Sequence, residues 1–584
     1  MSHLEKLYQV FMNKKRVYKE SISLVLGGSA GQGLQTIEKV ILQIFKKEGY
    51  CVFATEELMS RVRGGSNSVE IRLSSKKRSA FTRKIDIAFP LDKESCVRLS
   101  DRFDEDTIII TDTSFAEDCK KIQGTFFFLP FLETLNKSGG KMFLNTLVAG
   151  IILKIFKIKE EIFLEYLKKT FSRKGEDMIT KNIETAKNGG ELGKSLLKDI
   201  DIFFEIEKQV SSQTMILDGS RALALGSLAG GCNFISSYPM SPSTGVLNAL
   251  AEYSQEIPLV VEQVEDEITA ITMALGAWYA GARALVTTSG GGFALMAESM
   301  SLSGMTENPV VVHLAQRPGP STGLPTRTEQ GDLNFALHSG HGEFPRAIFA
   351  PGTPEECFEC AKKAFDIADK YQVPVIIMTD QFLLESLFEV KKNIFDFSQK
   401  PQKYFIETDK NYKRYAFTDD GISPRGLPGF GEGFVHVDSD EHDEDGRIIE
   451  DAQTRVKMME KRMYRLELLS EEVFPVVYQG NEDPSFLIVG WGSTYGVLDE
   501  VMEILSNSCL GYMHISQVFP LGQDVKYRIQ KAKKVIVVEN NMTGQFASLL
   551  HKECNRKPEY SIRSYDGSPF SIEYIKQELK KIID

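Results

Sequence analysis

The chain has no excess of basic charge. Sixty-nine lysines and arginines stand against 80 aspartates and glutamates, a formal net charge of −11. That argues against nucleic acid or an anionic membrane as the main partner. It has no tight cysteine set either: Cys51, Cys96, Cys119, Cys232, Cys357, Cys360, Cys509 and Cys554 are scattered. Scatter of this kind suits a reducing, cytoplasmic location rather than a disulfide scaffold. Cys357 and Cys360 make one CxxC, in "TPEECFECAKKAFDIADK", with no second pair or histidine pair nearby and a helical pattern around it. They read as ordinary helix cysteines, so no metal site and no iron–sulfur cluster is expected on this chain alone. Long apolar runs are missing too. The longest, "MFLNTLVAGIILKIF", carries Asn145 and Lys154 and is too short to span a bilayer, so a buried helix is expected there. The opening "MSHLEKLYQVFMNKKRVYKE" lacks the apolar core of a signal peptide.

At 584 residues, 42% hydrophobic and 26% charged, the chain is of ordinary globular composition and too long for one core. Strand-like and helix-like patterns alternate in three successive stretches, which implies an α/β class with sheets covered on both faces. Residues 1–18 read as an extension. In 19–195, "SISLVLGG", a glycine loop, an amphipathic helix and "CVFATEE" form a β-loop-α-β unit. A charged linker covers 196–213. In 214–395 strands such as "NFISSYP", "ARALVTTSGG", "NPVVVHLAQR" and "VPVIIMTDQ" alternate with helices. Residues 396–475 are rich in Gly, Pro and Asp and are expected to be mostly irregular, with a solvated acidic loop around His442 and a charged closing helix. A compact α/β domain fills 476–584.

Four stretches carry chemistry. "SSYPMSPSTGV" runs from a strand into a helix, with Ser241 expected as the N-cap and Pro242 as the first helical residue. The same geometry places a helix start beyond a strand's carboxyl end, where open α/β sheets bind ligands. In "VEQVEDEITAITMALGAWYAGARALVTTSGGG", Glu265, Asp266 and Glu267 open a helix that is apolar or small nearly all round, as if buried on most sides. Acids there favour the helix dipole; one of them, at the edge of a dry pocket, could also exchange a proton. Periodicity does not choose among the three. "HLAQRPGPSTGLPTRTEQGDL" sets Arg317 at a strand end and Arg327 ten residues on, a pair suited to a carboxylate or phosphate. In the first domain, "GGSAGQG" (Gly27, Gly28, Gly31, Gln32, Gly33) is neither GxGxxG nor a P-loop but can cradle an anion, and "SRVRGGSN" adds Arg63, Gly64, Gly65 and Asn67.

Taken in order, these stretches together with "FLIVGWGSTYG" and "VVENNMTGQFASLL" resemble the α subunit of the 2-oxoacid:ferredoxin oxidoreductases, of the type with a γ domain fused at the N-terminus. The resemblance covers nearly all of the chain. It implies a γ-type Rossmann-like domain, a thiamine-diphosphate-enzyme pyrimidine-binding-type domain and a transketolase C-terminal-like domain. It implies oxidative decarboxylation of a 2-oxoacid, 2-oxoglutarate before pyruvate, with coenzyme A as acyl acceptor and ferredoxin as electron acceptor. By the resemblance, Glu267 is the glutamate that hydrogen-bonds the thiamine aminopyrimidine. Tyr238, Pro239, Ser241 and Pro242 match a Tyr-Pro-Ile-Thr-Pro segment beside the substrate, with Met240 for isoleucine and Ser241 for threonine. Arg317 and Arg327 are both candidates for the substrate carboxylate, and the two glycine segments of the first domain fall on the coenzyme A side. The family's Gly-Asp-Gly magnesium motif and its cluster cysteines have no counterpart here. A β subunit is therefore expected to bring Mg2+, diphosphate binding and a [4Fe-4S] cluster. The same loops would also serve a coenzyme- or nucleotide-binding scaffold subunit without a catalytic role.

Overall fold

The computed structural model describes residues 16–29, 34–59, 65–119, 121–138, 140–200, 202–209 and 211–584. They divide into two compact units. One contains the chain up to Ile216 together with Ser386–Lys391; the other contains Leu217–Glu385 and Lys392–Asp584.

The first unit is built on an eight-stranded sheet. Its order is Thr125–Leu129, Ile108–Asp112, Ile87–Pro90, Ser21–Ser29, Ser66–Ser74, Cys51–Glu57, Leu387–Lys391 and Thr214–Asp218. The helix Leu34–Lys47 follows the first strand as its period suggests. The next strand is not its neighbour, however: Ser66–Ser74 runs antiparallel between Ser21–Ser29 and Cys51–Glu57. The inserted strand is disguised by its polar residues. Glu70 and Arg72 are buried but partnered, Glu70 by Arg102 at 2.6 Å and Arg72 by the Ala80 carbonyl at 3.3 Å. The apolar run is the expected buried helix, Leu144–Ile155. Part of the expected linker is a strand instead: Ile202–Phe204 pairs in parallel with Arg16–Tyr18, whose residues were read as extension.

The second unit holds two large sheets and one strand pair. The larger runs Val260–Gln263, Phe234–Ser237, Ala284–Thr288, Val310–Gln316, Pro374–Asp380, Ala347–Phe349 and Gln517–Phe519. The first six are parallel and the last is antiparallel. Its central strands are buried throughout, as near-continuous apolar runs require. His313, at the centre, bridges two strands through Thr287 at 2.7 Å and Thr379 at 2.8 Å. Burial pushes its ring down to about 3, so it stays neutral. The smaller sheet runs Val477–Gly480, Leu510–Ile515, Phe486–Trp491, Lys534–Glu539 and Tyr560–Arg563, parallel except for its first strand.

Residues 396–475 are less irregular than their composition suggests. They contain the paired strands Phe405–Thr408 and Arg425–Gly431 and the helix Ala452–Glu471. The acidic loop around His442 exposes Asp440, Asp445 and Glu450, but the histidine ring itself is buried and stacks on Tyr415 with centroids 3.8 Å apart. Several charges of this segment are paired inside, among them Lys461 and Arg465 of the closing helix. Glu307, fully buried, holds Lys461 at 2.9 Å and Arg465 at 3.5 Å, and its carbonyl accepts from Arg414. Asp369 lies between Arg283 and Arg425. Cys357 and Cys360 are buried on the helix Pro354–Tyr371. Among the described residues no group of three or more His, Cys, Asp or Glu is placed to hold a metal ion, and no single helix is long and apolar enough to cross a membrane.

Candidate active site

Three adjacent strands of the seven-stranded sheet end at one edge, in Ser237, Thr288 and Gln316. The segments that leave them are those singled out in the sequence: Tyr238–Ser243, Ser289–Gly292 and Arg317–Asp332. The carboxyl edge of a parallel sheet is where ligands bind in such folds.

The helix after "SSYPMSPST" starts later than its capping pattern suggests. It spans Thr244–Tyr253, with Ser243 at the N-cap position and no side-chain cap. Residues 241–243 form a turn, the Ser241–Pro242 bond is cis, and Ser243 Oγ donates to the Met240 carbonyl at 2.7 Å. Ser241 is therefore released from capping. Its carbonyl accepts from Arg317 Nη1 at 2.6 Å, which ties this turn to the next strand but one. Ser237 Oγ donates to the Thr287 carbonyl and Ser236 Oγ to that of Ala270, so strand and following helices are locked together.

The three acids separate by environment. Glu265 and Asp266 are exposed, and Asp266 caps the helix Glu267–Tyr279 by accepting from Thr269 N at 2.7 Å. Glu267 is buried, and its Oε1 has no hydrogen-bond partner. The helix behind it is not buried on most sides: Ala270, Ile271, Ala274, Leu275 and Trp278 face the core, while Ile268, Thr272, Met273 and Gly276 are exposed. Ile268 and Met273 on the outer face, together with small residues, give the pattern its all-round apolar look.

The glycines of "TTSGGG" make room for side chains. A Cβ on Gly292 would stand 2.2 Å from Thr288 Oγ1 and 2.6 Å from Glu267 Oε1. A Cβ on Gly290 would stand 2.6 Å from Asp332 Oδ2. Two carboxyl groups therefore lie against the same short turn. Asp332 Oδ2 is buried without a partner, and burial pushes this carboxyl up to about 6 against the pull of Arg317. Asp332 N donates to Gln316 Oε1 at 3.1 Å, beside Arg317. Arg327 sits elsewhere on the loop, half-buried and packed against Gly567.

The smaller sheet braces this loop. Gln330, buried, exchanges hydrogen bonds with Asn540: its N donates to the Asn540 carbonyl at 2.7 Å, and its Oε1 accepts from Asn540 N at 2.9 Å. Its Nε2 donates to the Trp491 carbonyl at 2.9 Å. Asn541 and Gln545 reach the Gln330 and Gly331 carbonyls, and Thr328 N donates to Gly567. The carboxyl ends of the C-terminal strands are thus filled by the Arg327–Asp332 loop. Neither Gln330 nor Asp332 was singled out in the sequence. The signal for Asp332 was the triple glycine, which needs a bulky neighbour to explain it.

In the first unit, Gly31, Gln32, Gly33, Arg63 and Gly64 lie outside the described residues. The flanks of the two glycine segments are neighbours: Gly28 pairs with Asn67 and Ser29 with Ser66 across adjacent strands. Gly65, at φ +102°, turns the chain into its strand, and Asn67 Oδ1 accepts from Met59 N at 2.9 Å. A Cβ on Gly27 would meet Ser95, so packing alone explains that glycine.

Comparison with known proteins agrees with this layout. Residues 225–461 match the family described as pyruvate flavodoxin/ferredoxin oxidoreductase, thiamine diphosphate-binding, and residues 23–192 match pyruvate ferredoxin/flavodoxin oxidoreductase. A 2-oxoacid:ferredoxin oxidoreductase subunit alpha from Sulfolobus is 30% identical over 96% of this chain and 97% of its own. A 2-oxoglutarate synthase subunit KorA from Methanocaldococcus jannaschii is 32% identical over 59% of this chain and 92% of its own. A solved 2-oxoglutarate:ferredoxin oxidoreductase from Magnetococcus marinus, with 2-oxoglutarate, coenzyme A and succinyl-CoA bound, superposes with a TM-score of 0.90 at 29% identity, over 97% of this chain and 100% of that one. The match over nearly the full length of both chains, with the thiamine diphosphate-binding region spanning Glu267 and both arginines, places this chain among the α subunits of the 2-oxoacid:ferredoxin oxidoreductases.

Proposed function

We propose that this chain, joined to a β subunit, oxidises 2-oxoglutarate to its acyl-CoA and CO2, with electrons passing to ferredoxin. The observation that carries the site assignment is the Glu267 carboxyl, buried against Gly292 with Oε1 unpartnered. A buried acceptor without a donor is costly, and a ligand that brings an N–H removes that cost. The aminopyrimidine of thiamine diphosphate brings one, so the residues present fit the cofactor. When bound, the cofactor supplies the nucleophilic carbon and the electron sink for decarboxylation.

The chain's own part is to hold and orient. Glu267 accepts the pyrimidine proton and exchanges it, as a general acid–base group in a dry site. Tyr238, Pro239, Ser241 and Pro242 form one wall, and Arg317 binds the oxoacid carboxylate. Arg327 stands on the same loop, and two arginines there suit a substrate with two carboxylates. The M. marinus enzyme and the M. jannaschii relative, both named for 2-oxoglutarate, support that choice. Magnesium, diphosphate contacts and a [4Fe-4S] cluster fall to the β subunit. Gly27, Gly28, Gly31, Gln32, Gly33, Arg63, Gly64, Gly65 and Asn67 are assigned to coenzyme A. The modules would be 19–195, 214–395 and 476–584, and the enzyme cytoplasmic.

The test is the reconstituted complex, assayed for CoA-dependent reduction of ferredoxin with 2-oxoglutarate and with pyruvate. Higher kcat/KM on 2-oxoglutarate is expected, and Arg327→Ala should lower it more than for pyruvate. A preference for pyruvate overturns the substrate, and no turnover of any oxoacid overturns the reading.

A further inference from the structure

We propose that Asp332 is a second acid of the oxoacid pocket, which admits the substrate carboxylate to Arg317 when protonated and competes for that guanidinium when ionised. This rests on the oxoacid reading above and adds a residue to it.

The geometry sets Asp332 apart from a surface carboxylate. Its Oδ2 is buried and takes no hydrogen bond. Both carboxyl oxygens lie within 2.8 Å of where a Cβ on Gly290 would stand, two residues from the glycine that makes room for Glu267. Its backbone is tied to Gln316, the residue before Arg317. The backbone on either side is held by Gln330 and by Gln545, which bonds the Gly331 carbonyl and Asn334 N, so the loop that carries the carboxyl is fixed in place. The charged groups acting on it are Arg317 from the strand end and Glu329 from its own loop. The helix Gly290–Leu295 brings no charge, Glu267 lies at the other end of its glycine run, and the helix Gln545–Cys554 brings the neutral Gln545 to this face.

Two outcomes follow for an anionic substrate. A protonated Asp332 leaves the Arg317 charge to the ligand. An ionised Asp332 shares that charge and repels the ligand at close range in a poorly solvated site. Substrate binding therefore favours the protonated carboxyl and takes up a proton when the free site is ionised. Burial already pushes Asp332 up to about 6, so the effect falls in an accessible range.

The experiment uses the αβ complex. For the wild type, KM for 2-oxoglutarate should rise on the order of tenfold from pH 6 to pH 8 with kcat little changed, and binding near pH 7, followed calorimetrically in two buffers, should show proton uptake. Asp332→Asn, which keeps the shape but cannot ionise, should hold KM nearly constant and abolish the uptake. Glu329→Gln, which removes the like charge on the same loop, should keep both the rise and the uptake and move them to lower pH. A rise or uptake that persists in Asp332→Asn, that disappears in Glu329→Gln, or that is missing from the wild type overturns the role of Asp332. A wild-type complex that neither binds nor turns over an oxoacid at any pH overturns the oxoacid reading as well, a result distinct from the others.

Discussion

Glu267 and Gly292 form a matched pair, and each can be tested through the other. Glu267→Gln keeps the volume but removes the acid–base function. Turnover of the complex should fall by about two to four orders of magnitude while the melting temperature holds. Gly292→Ala leaves the carboxylate but places a methyl 2.6 Å from its Oε1 and 2.2 Å from Thr288 Oγ1. One of them must move, so activity should drop steeply although no acid has been lost. Equal activity in either variant contradicts the role given to Glu267. At this scale the sequence was legible where chemistry follows residue type, as with acids at a helix start and arginines at a strand end. It was silent where function depends on which side of a helix faces in. Asp266 caps the helix and stays exposed, which leaves Glu267 the buried acid. Ser241 was misplaced because hydroxyl, proline and glycine together read as a cap two residues too early.

Elements were easier to recognise than their connections. The alternating runs implied three successive α/β units, and the buried parallel strands of the second unit agree. What stayed hidden was how polar segments fold back. Ser66–Ser74 inserts between two strands, and residues 396–475 bury Arg414, Arg425, Lys461, Arg462 and Arg465 within a set of charges otherwise exposed or half-buried. Both depend on pairing between residues far apart, which no local pattern contains. The brace of Gln330 is such a case. Gln330→Ala removes its bonds to Asn540 N and the Trp491 carbonyl, leaving both unpaired in the interior. A loss of about 1–3 kcal/mol of stability is expected, with KM for the oxoacid raised more than kcat is lowered.

Glu307 offers a second test at the scale of elements, with a pH signature. Burial alone would raise its carboxyl; Arg465, Lys461 and Arg414 outweigh burial and hold it well below the carboxylate range. A group depressed in the folded state stabilises above its ordinary value of 4.5, and that contribution is lost as pH falls below it. Lys461→Met should cost about 3 kcal/mol at pH 7, because a buried charge loses its nearest partner. The gap from wild type, measured by urea unfolding, should narrow as pH drops below 4.5 and Glu307 takes up a proton. A gap independent of pH would assign the loss to packing.

At the scale of the whole molecule, the helix Glu267–Tyr279 connects a misreading to a prediction. Its sequence is apolar or small on nearly every side, yet in the chain alone Ile268 is 53% and Met273 36% exposed. On the segments that leave the same strand ends, Tyr238, Leu295 and Leu324 are exposed as well. Large apolar side chains gathered beside a site mark a surface that a partner covers. The β subunit proposed above to bring magnesium and diphosphate contacts would reach this edge, because the unpartnered Glu267 oxygen lies there. On this view the all-round apolar pattern describes the helix as buried in the complex. Ile268→Asp would place a charge in that contact without disturbing the core-facing residues. The variant chain should keep its circular dichroism and melting temperature, fail to co-elute with the β subunit in size-exclusion chromatography, and show no CoA-dependent turnover in the mixture. Normal assembly with normal activity would move the β interface off this face and leave the exposed residues in need of another partner.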